Sequence, residues 1–453
     1  MSFANITPAI TKGMLMVSEH IKKIPIPETE YPRLVILGGG FAGITLVKKL
    51  SNLPLQIVLF DRNNYHTFQP LLYQVATAGL EPDSIAGPLR KQLESIKNFY
   101  FRMAEVHVIH AKEKYIETEI GAMSYDHLVI ATGSRTNFFG NDSIMTHAFP
   151  LKQIPQALDL RSHILQNFEA ATVTTDADQL ESMMNIVIVG GGPTGVEVAG
   201  ALGELKKNVL PSDYPDLDFD HMNIILLEGT SRLLGGMSEF ASRKAIKYLK
   251  KFDVQVRLST MVTSYDGLVA ELSNGSSIKT HTLIWAAGVK GNYPDGIAPT
   301  SIEKARLLVD EYNRLLDYDD IYAIGDIALM KSKDYPYGHP MLAPVAIQQG
   351  NNLAKNLKRM LKSKPMKPFQ YYDKGSMATI GRNKAVVDLG KLRFGGLFAW
   401  MIWMFVHLIS IIGFRNRLIV FSNWVWNYFT YDKGTRLIIR KFIPKHKAND
   451  VTV

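Results

Sequence analysis

Two stretches of this chain are near copies of each other. Residues 33–43 read RLVILGGGFAG and residues 185–195 read NIVIVGGGPTG, each an apolar run that closes in G-x-G-x-x-G. A helix-like stretch follows each, over 44–50 and 196–210. A second apolar run then ends in an acid: QIVLFD at Asp61, NIILLE at Glu228. Strand, glycine turn, helix, strand and terminal carboxylate in that order form the βαβ dinucleotide fingerprint, here present twice. Gly38 and Gly190 make the tight turn, Gly40 and Gly192 let a pyrophosphate approach the backbone, and Gly43 and Gly195 let helix pack on strand. The helix start offers free N–H groups and the positive end of a dipole to phosphate. The closing acids take ribose hydroxyls.

The repeat runs further. YDHLVIATG, ending at Gly133, answers TLIWAAG, ending at Gly288; these glycines lie 155 residues apart, and Gly38 lies 152 residues from Gly190. Two copies of one domain plan are expected, with a hairpin turn at Asn274–Gly275 in the second. A strand closing in Gly325–Asp326 places a carboxylate at a strand's C-terminal end, suited to the hydroxyls of a polyol chain. Together these make FAD, bound non-covalently, the expected first cofactor and a nicotinamide nucleotide the second. The expected FAD contacts are Gly38, Gly40, Phe41, Ala42, Gly43, Asp61, Thr132, Gly133, Gly325 and Asp326. The expected NADH contacts are Gly190, Gly192, Thr194, Gly195, Glu228, Ala287 and Gly288.

Cysteine is absent from all 453 residues. Disulfide, thiol-redox, iron–sulfur and Cys-ligated zinc chemistry are excluded. His107 and His110 are too isolated to argue a metal, and none is expected.

Charge is segregated. Residues 355–453 carry nineteen Lys/Arg against four acids, a net +15, whereas the preceding 354 residues carry −6. Between Arg393 and Arg415 lie 21 uncharged residues, and four of the five tryptophans (Trp400, Trp403, Trp424, Trp426) fall within residues 394–431. Aromatics beside Arg415, Arg417, Lys433, Arg436, Arg440 and Lys441 suit a membrane interface. Two short helices from Phe394 to Tyr431, lying in the membrane plane, are expected rather than one that spans it. Residues 1–30 contain no signal-peptide core and are expected to be a disordered or weakly helical extension.

The order GGGFAG, ATG, GGGPTGVE, AAG, IGD resembles the two-dinucleotide-binding-domain flavoproteins. The strings DRNNYHTFQPLLYQVATAGL, GGPTGVEVAGALGE, LLGGM, GSMATIGRNKAVVDL and the aromatic C-terminal segment narrow the resemblance to type II NADH:quinone oxidoreductases, the non-pumping single-chain respiratory NADH dehydrogenases. It covers roughly residues 31–445.

The resemblance implies an α/β fold of two Rossmann-like domains plus a C-terminal amphipathic helical anchor. The implied division is 31–150 with 298–365 for FAD, 151–297 for NADH, and 366–453 for the strand and membrane region. It implies hydride transfer from NADH to FAD and reduction of a membrane quinone, menaquinone or ubiquinone, without proton pumping. It places the protein peripherally on the cytoplasmic face of the inner (cell) membrane, with no nucleic-acid partner, and leaves monomer and homodimer both open. Glu197 is implied near the nicotinamide and the reactive flavin nitrogen; a helix-initial Glu held by the dipole is its plainer reading. The family's A-Q-x-A-x-Q is Ala343-Pro344-Val345-Ala346-Ile347-Gln348 here, so Gln348 is retained and a proline replaces the first glutamine. Lys374 is implied to face the same region, with an exposed strand-turn lysine as its plainer reading, and His66 to support the flavin, with a core or loop histidine as the other reading. Glu228 favours NADH over NADPH by repelling a 2′-phosphate, with Arg232 close enough to soften that preference. Two other readings stand beside this one: a soluble NAD(P)H-dependent flavin reductase serving a protein acceptor such as a ferredoxin, and a flavoprotein whose basic end binds nucleic acid.

Overall fold

In the computed structural model, residues 22–411, 413–431 and 434–443 are described. Most of the N-terminal extension, and Lys433 of the basic flank, lie outside them. The chain divides into two compact units. The first comprises residues 1–66, 88–134 and 290–372; the second comprises 67–87, 135–289 and 373–453.

The first unit is built on a five-stranded sheet in which Arg33–Leu37 is flanked by Gln56–Asp61 and His127–Ile130, with Phe99–Met103 and Ile321–Ala323 at the edges. All pairings are parallel. Alternate residues enter different cores: Val35, Leu37, Val58 and Phe60 join one cluster, Leu34, Ile36, Ile57 and Leu59 another. A sheet buried on both faces accounts for the unbroken apolar runs in the sequence. Three antiparallel strands, Val106–His110, Tyr115–Thr118 and Gly121–Ser124, form a smaller sheet. The extension contributes to it: Ile24 is buried, and its N–H donates to the Ala122 carbonyl at 2.9 Å. Residues 22–24 are therefore paired backbone, not the disordered or helical segment expected.

The second unit repeats the plan. Asn185–Val189 is central in a parallel sheet with Thr282–Trp285, Asn223–Leu227, Val254–Arg257 and Phe149–Pro150. An antiparallel trio, Val262–Tyr265, Val269–Leu272 and Ser277–Lys279, again accompanies it. Asn274–Gly275 turns between the last two, with Gly275 at φ +82°. A third antiparallel sheet, Ser376–Thr379, Ala385–Leu389 and Leu392–Gly396, leads into two helices, Leu397–Ser410 and Phe414–Thr430. Among the described residues no helix is long and apolar enough to cross a membrane.

The stretch 67–87 belongs to the second unit for a local reason. Its helix Leu72–Ala76 packs on Ile154–Ala171 and Pro193–Asn208. It is also tied to the last helix: Trp424 Nε1 donates to Gln74 Oε1 at 2.9 Å, and Asn416 Nδ2 to the Ala86 carbonyl at 2.9 Å.

Candidate active site

The first cradle lies in the first unit. Gly38 has φ +103°, and a Cβ there would stand 2.4 Å from the Ala131 carbonyl oxygen. A Cβ on Gly43 would stand 1.9 Å from the Gly38 oxygen, so strand and helix Phe41–Lys49 meet backbone to backbone. That helix starts three residues earlier than its apolar pattern suggests, because Phe41, Ala42 and Gly43 form its first turn. Gly40, at its N-cap, faces open space. Asp61 Oδ2 accepts from the Gly39 N–H at 2.7 Å and Oδ1 from the Asn63 N–H at 2.7 Å. Burial raises the Asp61 pKa, and the two backbone donors oppose that rise.

Across the same sheet edge, the Thr132 hydroxyl donates to the Asn292 carbonyl, and Gly133 turns at φ +70° with open space before it. Ser134 Oγ donates to Asp326 Oδ2 at 2.6 Å, and the Gly325 N–H to Gln349 Oε1 at 2.7 Å. Gln349 is fully buried, and sequence reading passed it over for its neighbour Gln348. The signal was available: on the helix Ala343–Met360, Gln349 shares the buried face of Val345, Ala346 and Leu353.

His66 is buried, with Nδ1 3.0 Å from the Gly39 carbonyl oxygen and Phe41 edge-on to its ring. Burial lowers its pKa to about 4, so the ring is neutral, protonated at Nδ1 toward that carbonyl. His66 Nε2 and Gln349 Nε2 are buried polar atoms with no partner among the described residues. A helix start, open faces at Gly40 and Gly133, a carboxylate and two unmatched buried polar atoms fit an adenine dinucleotide.

The second cradle repeats this chemistry. Gly190 has φ +110°, and a Cβ there would stand 2.6 Å from Ala286. A Cβ on Gly195 would stand 1.9 Å from the Gly190 oxygen. Gly192 caps the helix Pro193–Asn208 and faces open space, with Thr194 exposed in the first turn. Glu228 Oε2 accepts from the Gly191 N–H at 2.6 Å and Oε1 from the Thr230 N–H at 2.7 Å. Asp61 makes the matching pair in the first cradle. Ala287 and Gly288 follow the strand Thr282–Trp285, half-buried.

Glu197 occupies the fifth position of that helix, beyond its first turn, and is 8% exposed. A helix-initial carboxylate held by the dipole would be solvated in the first turn, so that plainer reading does not describe it. Burial pushes its pKa up to about 8, against the Thr379 N–H and the Trp403 indole, which favour the charged form. Among the described residues no charged side chain offsets the burial. The Trp403 N–H faces the carboxyl without meeting hydrogen-bond geometry, and Nε1 has no other partner among the described residues. At neutral pH Glu197 is a buried, mostly protonated acid, able to give a proton and take it back.

Gln348 and Lys374 behave differently. The Gln348 amide is engaged with the backbone of Tyr372, donating to its carbonyl and accepting from its N–H, each at 2.9 Å. It clamps the chain after its helix. That helix has Pro344 in its first turn, which accounts for the proline that interrupts the family motif. Lys374 is exposed, in the second unit. His107 and His110 pair with Glu119 and Glu117, and among the described residues no cluster of His, Asp or Glu could hold a metal.

The doubled cradle defines a class. The pattern of the pyridine nucleotide-disulphide oxidoreductases matches residues 32–350, although this chain has no cysteine. That of the NDH2 C-terminal domain matches residues 373–431. The chain is 35% identical to "Type II NADH:quinone oxidoreductase NdhA" of Mycobacterium tuberculosis, over 91% of this chain and 90% of that protein. It is 28% identical to "Internal alternative NAD(P)H-ubiquinone oxidoreductase A1, mitochondrial" of Arabidopsis thaliana, over 89% and 85%. The fold matches the structure of NDH2 from Plasmodium falciparum in complex with NADH at a TM-score of 0.83 and 22% identity, covering 90% of this chain and all of that one. The chain belongs to the type II NADH:quinone oxidoreductases: it oxidises NADH and reduces a quinone.

Proposed function

We propose that FAD is the resident cofactor, that NADH is preferred over NADPH, and that quinone arrives from a membrane on which the two C-terminal helices rest. The doubling of one cradle in a chain without cysteine carries this reading. When bound, FAD accepts the hydride of NADH and passes two electrons to the quinone. The helix start at Gly40, Asp61, and the Ser134–Asp326 pair of the first cradle would hold it.

Glu228 supports the preference for NADH. Its carboxylate would repel a 2′-phosphate. Arg232, which could relieve that repulsion, donates to the Gly235 carbonyl at 2.5 Å.

Two exposed apolar rows support the membrane contact. Phe398, Met401 and Phe405 follow each other along the first helix, and Leu418, Phe421 and Val425 along the second. Trp403 and Trp424 face inward, so the aromatic belt is smaller than the sequence suggests. Arg436 and Arg440 pair with Asp213 and Asp159, while Lys391, Arg393, Arg415, Arg417 and Lys441 are exposed in the basic flank. Replacing Phe405 and Phe421 together by Glu should abolish flotation with anionic vesicles while the protein stays folded, since both side chains already face outward. Unchanged flotation would remove these helices from the contact.

The reading as a whole is tested by an anaerobic two-step spectrum. NADH should bleach the flavin band faster than NADPH does, and a short-chain quinone should restore it. Bleaching without recovery points to a protein acceptor, and a preparation without flavin defeats the first cradle.

A further inference from the structure

Reducing a quinone with NADH consumes one proton from solvent: NADH, a quinone and H+ give NAD+ and a quinol. The hydride carries two electrons and one hydrogen, and the second hydrogen must reach the acceptor as a proton. Glu197 is buried and needs supply. A cavity of about 100 Å3, enough for several waters, lies next to it in the second unit. Tyr73, Thr379 and Trp403 line this cavity. Thr379 and Trp403 are also the groups that contact the Glu197 carboxyl, and the Tyr73 phenol feels its charge.

Glu204 lines the same cavity. It is half-exposed and stands seven residues beyond Glu197 on the helix Pro193–Asn208, so it lies on the same face, about 10 Å along the axis. The Tyr73 phenol feels both carboxylates, inner and outer. Its hydroxyl accepts from Gln74 Nε2 at 2.9 Å, and Gln74 Oε1 accepts from Trp424 Nε1, so the phenol is free to donate into the cavity. Thr77 adds a second hydroxyl to the wall.

We propose that this cavity is the proton entry of the quinone reaction, with Glu204 taking a proton from solvent and passing it, through water held by Tyr73 and Thr77, to Glu197. The assignment rests on the quinone reductase reading above.

The groups facing the route are few. Lys384 feels the charge of Glu204, with Lys207, Lys251 and Arg382 around it. The Arg382 backbone N–H donates to Glu204 Oε1, while its guanidinium is turned to the carbonyls of Asn427 and Tyr428. His407 stacks on Trp403 and, with its pKa lowered by burial to about 4, is neutral. Glu204 stands half-exposed at the mouth, its Oε1 held by the Arg382 N–H. The buried Glu197 favours the protonated form within.

Glu204→Gln separates proton supply from structure, because an amide oxygen still accepts from the Arg382 N–H. NADH should bleach the flavin of this variant at the wild-type rate. Turnover with quinone should fall on the order of tenfold at about pH 8.5, little at about pH 6 where hydronium supplies the proton, with a larger solvent isotope effect. A small permeant acid such as imidazolium should restore it. Tyr73→Phe should reproduce the profile, and carries the test if Glu204→Gln does not fold. Wild-type pH profiles and isotope effects in the variants overturn the route. Loss of quinone turnover in the wild-type protein itself would instead defeat the quinone reading.

Discussion

Gly192→Val leaves the second unit folded and removes its hold on NADH. The backbone at Gly192 has φ −72° and ψ −178°, ordinary extended geometry that valine adopts readily. A Cβ there meets nothing within 4 Å. The change should therefore cost less than about 1 kcal/mol of stability. That space lies before the start of the helix Pro193–Asn208, where Thr194 and Gly195 offer their N–H groups and Pro193 has none to offer. Valine methyls would displace a pyrophosphate from those donors. Losing two charge-assisted bonds corresponds to roughly 3 kcal/mol, or a rise in KM for NADH on the order of a hundredfold. The readout is internal to the protein: dithionite should bleach its flavin normally, quinone should restore it, and NADH should act slowly. NADH reduction at the wild-type rate would sink the assignment of the second cradle. Gly195→Val is not an equivalent test, since its Cβ would lie 1.9 Å from the Gly190 oxygen and would push the helix off its strand.

Both cradles were legible in the sequence because everything that builds them is local. Strand, turn and helix follow one another within about a dozen residues, and the closing acid arrives at the end of the next strand. Glycine is required at Gly43 and Gly195 by contacts with a backbone five residues away. The expected fold and family followed from these strings. The surroundings of Glu197 were not legible, because they are assembled from distant segments: Tyr73 and Gln74, Thr379, and the helices holding Trp403 and Trp424. The hydrogen bond from Trp424 to Gln74 spans 350 residues. Composition marked both tryptophans as interfacial, and nothing in their spacing told that they turn inward. The same limit explains Arg436 and Arg440, whose acidic partners lie more than 200 residues earlier. Gln349 was overlooked because the family pattern drew attention to Gln348, whereas helix periodicity points to its buried neighbour.

Replacing Glu197 by glutamine should have opposite effects on stability and on activity, and pH separates them. The folded pKa stands at about 8, raised from 4.5 by burial. Between those values the folded protein binds a proton that the unfolded chain releases. The stability tied to this carboxyl is therefore complete below about pH 4.5, falls as pH rises toward about 8, and is level beyond. Glutamine does not titrate, so the variant should be the more stable protein at about pH 9 and should lose that advantage at about pH 4.5. The full span is roughly 4–5 kcal/mol as an upper bound, visible as a crossing of the unfolding temperatures. Activity should move the other way. The amide keeps an oxygen for the Thr379 N–H and has no proton to give, so flavin binding and bleaching by NADH should persist. Recovery with quinone should slow on the order of a hundredfold, as for other lost general acids. In the wild-type protein quinone turnover should decline above about pH 8 as Glu197 ionises, and the glutamine variant should lack that limb. A variant with the same alkaline limb would assign the titration to another group and reduce Glu197 to a packing element between the helix and the C-terminal sheet.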